Sequence, residues 1–175
     1  MKDFIDQAKI NGVELIDHGA CQFCGAAFKR GIFECMEHYA IALENIDFSD
    51  EKNHIYRFLS VDAHALQHPE IHGRWSNHFH LCRLYLILKE NINWTYSHSP
   101  LLSDFINQYK KNKFDEYLNC PPLQNRGGIS VSDFHQEMNE ITKKELILKW
   151  AEEVFDSWHL SHDVVKEIAL KFKIH

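Results

Sequence analysis

At 175 residues, 45% hydrophobic and 25% charged, the chain has the size and composition of one ordinary globular domain. Its longest apolar run, Leu84 to Leu88, falls far short of the ~20 residues a membrane-spanning helix needs, and Met1-Lys-Asp-Phe-Ile-Asp6 is too acidic for a signal peptide, so no membrane association and a cytoplasmic location are expected. A net charge of −6 argues against nucleic-acid binding, and the one basic cluster, Lys110-Lys111-Asn112-Lys113, reads as a solvated helix end.

Seven Gly and four Pro are too few for a turn-rich all-β sandwich, whereas thirteen His and five Cys are a large supply of nitrogen and sulfur ligands. An odd cysteine count forbids complete disulfide pairing within one chain and fits a reducing compartment.

The first twenty residues are mixed, with a turn at Ile10-Asn-Gly-Val13 and a short extended piece from Val13 to Ile16. Cys21-Gln-Phe-Cys24-Gly25 follows. From Cys35 onward the spacing of Met36, Tyr39, Ala40 and Leu43 predicts a helix that ends by Asp47. A second helix, Glu51 to Gln67, aligns Ile55, Phe58, Leu59, Ala65 and Leu66 and carries Asp62 on the same stripe; Pro69 stops it by forcing His68 out of the α region. A third, Ser76 to Lys89, places His80 with Leu84, Ile87 and Leu88. A short helix near Leu101 to Tyr109, an irregular stretch from Cys120 to Gly128 and a capped start at Ser130-Val-Ser-Asp133 come next. Lys143 to Phe172 then reads as one helical region, with Ile147, Trp150, Ala151, Val154, Phe155 and Trp158 on one face and His162 continuing it.

Two groups of residues point to chemistry. Cys21-x2-Cys24, ten residues, then Cys35-x2-His38 is a four-ligand set suited to tetrahedral zinc: the CxxC turn aims two thiolates one way, and i, i+3 residues share a helix face. His68 is the alternative to His38. A closed set of four would make the zinc structural, and a metal-free CxxC, either buried or redox-active, is the competing reading. Asp62, His80 and His162 form the second group, three polar side chains on faces that should be buried. Buried charge is costly unless paired or metal-bound, so they are expected to meet, with His68 able to join them and a second divalent metal able to bind. Separate Asp–His pairing or satisfied core histidines are the alternative.

The combination of Cys21-Gln-Phe-Cys24-Gly25, Cys35, Val61-Asp-Ala-His-Ala-Leu-Gln-His-Pro69, His80-Leu-x-x-Leu84, Pro121-Pro122 with Gly128-Ile-Ser-Val-Ser-Asp133, and Trp150-Ala-x-x-Val154-x-x-x-Trp158-x-x-x-His162 resembles an uncharacterised bacterial family of unknown function, from about Cys21 to about Val165. The resemblance implies roles for Cys21, Cys24, Cys35, Asp62, His68, His80 and His162, sets His38 apart from the pattern, and carries no activity with it.

The sequence therefore predicts a mainly α-helical single domain over residues 1–175, a compact helix bundle whose Cys-rich segment 1–50, a zinc-knuckle-like motif, packs on a helical core at 51–175. Three functions fit: a zinc-binding protein, hydrolase or thiol-group transferase, with Asp62, His80 and His162 catalytic; an interaction module with a structural zinc, its partner undefined; and a CxxC redox protein.

Overall fold

The computed structural model describes residues 2–113 and 118–172, the side chains of 2, 3 and 109–113 apart. Among the described residues there are seven α-helices and no strand: α1 Lys2–Ile10, α2 Gly31–Leu43, α3 His54–Gln67, α4 Arg74–Leu88, α5 His98–Lys113, α6 Glu140–Ser157 and α7 His162–Lys171. The Lys110–Lys113 cluster falls outside the described side chains.

The mixed amino-terminal stretch holds a helix, because Phe4 and Ala8, one turn apart, are both buried. The expected turn closes α1: Gly12, at φ 71°, donates to the Lys9 carbonyl while Val13 donates to that of Ala8, the paired bonds of a Schellman motif. Residues 13–16 form neither helix nor strand.

Helix α2 starts four residues before Cys35. Gly31 has φ 53°, its N–H donates to the Gly19 carbonyl, and a Cβ there would lie 2.2 Å from the Ile16 carbonyl oxygen. Only glycine fits this close approach, which folds the CxxC segment back along the start of α2.

The central element is α3. It packs on α6, α4 and α2, so nearly every residue from Phe58 to Gln67 is buried and both sides of the helix face protein. His68 follows with φ −127°, and Pro69 opens a 3-10 turn, Pro69–Ile71. Gln67 ties this end of α3 to the irregular segment after α5: its amide nitrogen donates to the Arg126 and Ile129 carbonyls at 3.0 and 2.7 Å, and its oxygen accepts from the Trp150 indole at 3.1 Å.

Ser130 caps with its hydroxyl as expected and Asp133 accepts from the Ser130 amide in return, but they open only the 3-10 turn Val131–Asp133; Asn139 caps α6, accepting from the Thr142 amide at 2.9 Å. Buried Lys143 bridges to α2 by donating to the Ile41 and Glu44 carbonyls at its carboxyl end.

The predicted single helix from Lys143 to Phe172 is two helices. The Trp158 indole donates to the Leu66 carbonyl, and the Ser161 hydroxyl accepts from the Asn119 amide at 2.8 Å. Both anchors lie in a 3-10 break, after which α7 turns to pack on α4. His162 therefore leaves the α6 stripe.

Candidate metal centre

Three segments converge at the end of α3. The CxxC turn is closed by Gly25, whose N–H donates to the Cys21 carbonyl at 2.9 Å with φ 78°, and by Cys21 donating to the Ala26 carbonyl at 2.9 Å. Helix α2 supplies Cys35, and the residue after α3 supplies His68. One ligand atom from each of Cys21, Cys24, Cys35 and His68 lies within 4.8 Å of all the others, an arrangement that could hold a metal ion. The His68 Nε2 is 3.5 Å from Cys21 Sγ and 3.4 Å from Cys35 Sγ, and Cys24 Sγ is 3.8 Å from Cys35 Sγ. Cys21, Cys35 and His68 are inaccessible to solvent, while Cys24 is partly exposed. Cysteines at 82 and 120 are free thiols elsewhere.

The cluster's ionisable groups shift one another. Hydrogen bonds from Cys24 and Cys35 pull Cys21 well below the usual thiol value despite its burial, while Cys35, sharing protons with Cys21 and Cys24 and buried itself, is pushed up. Burial alone would lower His68; hydrogen bonding to Cys21 and Cys24 outweighs it and lifts the imidazole to about 10. Cys21, Cys35 and His68 thus share thiolate and proton, and a divalent ion would displace the proton.

His64, one turn before His68, completes the surroundings. Its ring lies 4.4 Å from that of His68 and 4.7 Å from Tyr39, and its Nε2 is 4.0 Å from Cys35 Sγ. Burial first, and then the neighbouring imidazoles of His68 and His72, hold it well below the ordinary imidazole value, so it is neutral. The i, i+4 spacing of His64 and His68 was the available sequence signal for this residue.

His38 is not among the converging atoms. Its Nε2 donates to the Phe134 carbonyl at 3.2 Å and its ring packs against Phe28, so it joins α2 to the 131–134 turn.

The second predicted group is brought together only in part. His80 Nδ1 donates to Asp62 Oδ1 at 2.6 Å. Arg83, which the sequence reading missed, takes the same carboxylate in a fork: Nη2 to Oδ1 at 2.5 Å and Nε to Oδ2 at 2.8 Å. Its guanidinium also lies over the rings of Phe58 and Phe79, at 5.1 and 4.8 Å from their centres, and reaches Ser99. Arg83 lies at i, i+3 from His80 on α4, the spacing that could have flagged it. His162 is elsewhere: its ring stacks on Phe155 at 4.0 Å and its Nε2 donates to the Phe155 carbonyl. His68 faces the cysteines, not Asp62. At 100° per residue the two lie about 120° apart around α3, and that helix is buried on both sides. Among the described residues no second group of three or more metal-ligating side chains converges, so the Asp62 group is an ion-paired cluster without the ligand geometry of a second metal site.

Residues 19–159 match the model of a family described as a family of unknown function, DUF5946. No curated protein and no solved structure matches the chain. Among the described residues no helix is long and apolar enough to cross a membrane.

Proposed function

The chain belongs to DUF5946, a family of unknown function, and from its site we propose that it is a zinc-binding protein in which Cys21, Cys24, Cys35 and His68 hold one zinc ion. The observation that carries this reading is the convergence of those four ligand atoms. A tetrahedral zinc with Zn–S about 2.3 Å and Zn–N about 2.1 Å separates its ligands by about 3.8 Å between sulfurs and about 3.6 Å between sulfur and nitrogen. The distances of 3.8, 3.5 and 3.4 Å agree with those edges. Thiolate and imidazole ligands are also the donor set that favours zinc over magnesium or calcium.

Four protein ligands close the coordination sphere, so the ion acts as a staple: it joins the CxxC turn, α2 and the end of α3, segments that sequence separates by up to 47 residues. Titration of metal-free protein with Co2+ tests this. Sulfur-to-cobalt charge transfer together with the intense visible bands of tetrahedral cobalt supports the reading; a weak octahedral spectrum contradicts it.

A second reading, general acid–base catalysis at His80, rests on the Asp62 carboxylate, which holds the Nδ1 proton and leaves Nε2 to exchange a proton with a substrate. This chemistry would use no metal. Loss of a hydrolytic activity in His80→Gln with wild-type zinc content and folding would favour it.

A further inference from the structure

We propose that Cys24 is a modification site, a metal-activated nucleophile that accepts an alkyl group from a soft carbon electrophile; the inference rests on the zinc reading above. Three thiolates and a neutral imidazole around one divalent ion leave a net charge of −1 on the centre, concentrated on the sulfurs. A coordinated thiol is deprotonated outright, and thiolate is the nucleophilic form.

The three sulfurs are not equivalent. Cys21 and Cys35 have no solvent-accessible surface, and Cys35 has the His64 nitrogen 4.0 Å away as well as that of His68 at 3.4 Å. Cys24 is the one ligand of the four with surface open to solvent. It sits at the second cysteine of the CxxC turn, between buried Phe23 and Gly25, the glycine against which the Gln124 side chain packs. The fold therefore buries two thiolates of an electron-rich centre and offers the third.

In the step itself the Cys24 sulfur lone pair attacks the carbon of R–X. The S–C bond forms, the C–X bond breaks, and X leaves with the bonding electrons as an anion. No oxidant or reductant is consumed. The product is a neutral thioether, a weaker ligand than thiolate, so alkylation loosens zinc and converts an electrophile into a change in how the amino-terminal segment is held.

The test uses iodoacetamide on the folded, zinc-loaded full chain carrying Cys120→Ser, which removes the exposed thiol at 120. Peptide mapping locates the adduct while a chromogenic chelator reads zinc release, and the starting zinc content is measured on the same sample. The expected result is an early adduct confined to Cys24, with one zinc released per adduct. Equal modification of Cys21, Cys24 and Cys35, or a Cys24 no faster than buried Cys82, in protein that contains zinc would overturn this inference and leave the zinc reading standing. Protein without zinc would overturn both.

Discussion

The Nδ1 of His68 lies 2.6 Å from the carbonyl oxygen of His64, one helical turn earlier. A carbonyl only accepts, so Nδ1 keeps a proton, and it is Nε2, 3.5 and 3.4 Å from the Cys21 and Cys35 sulfurs, that gives up its own proton and offers a lone pair when a metal binds. The backbone of α3 thus sets the tautomer that a metal ligand needs, the outer-shell arrangement by which proteins orient coordinating imidazoles.

From this relationship, His68→Ala lowers zinc affinity and His38→Ala leaves it at the wild-type value, because His38 is bonded to the Phe134 carbonyl instead. Competition with a chromogenic chelator, run on both variants, measures the difference; equal losses would contradict the assignment.

The cysteine spacing was legible because CxxC with a third cysteine is a local pattern, and the three sulfurs do converge. The fourth ligand was harder to read. His38 and His68 both satisfied the sequence, and what separates them is the packing of α2 and α3, which directs His38 to the 131–134 turn. Grouping Asp62 with His68 failed for a related reason: a stripe rule assumes one buried face, and α3 has two. His162 was misplaced because no glycine or proline marks the break at Trp158; two tertiary hydrogen bonds make it.

Asp62 neutralises a buried guanidinium, so Asp62→Ala leaves Arg83 charged and unpaired and lowers stability by ~3–5 kcal/mol. The double substitution Asp62→Leu/Arg83→Met recovers a large part of that loss, since an apolar pair leaves no orphaned charge. Urea denaturation of the single and double variants provides the cycle; additive losses would show that the two residues act independently.

Gly31→Ala combines left-handed backbone with a Cβ 2.2 Å from the Ile16 carbonyl oxygen. The conformation alone costs ~1–2 kcal/mol, and the contact adds to it. The loss is expected as a lower urea midpoint together with faster zinc release, because Gly31 holds the CxxC segment against α2. An unchanged midpoint would be inconsistent with the close approach.

Burial, helped by the charges on His80 and His68, depresses His72 to about 3 from its usual 6.5. Between these values the unfolded chain binds a proton that the folded chain refuses, so stability falls as pH drops below about 6.5, by up to about 1.4 kcal/mol per pH unit for this group, until the folded state itself is protonated near 3. His72→Gln removes that share of the slope. Denaturation midpoints at a series of pH values for the two proteins check it, and parallel profiles would show that His72 is not the titrating group.

Zinc binding at Cys21, Cys24, Cys35 and His68 is open to elemental analysis of tag-free protein purified without chelator or oxidant, comparing wild type with Cys21→Ser/Cys24→Ser and Asp62→Asn/His80→Gln. One zinc per chain is expected in wild type and in the Asp62/His80 variant, and none in the cysteine variant. Wild-type protein without zinc, or zinc that survives loss of both cysteines, would contradict zinc binding there.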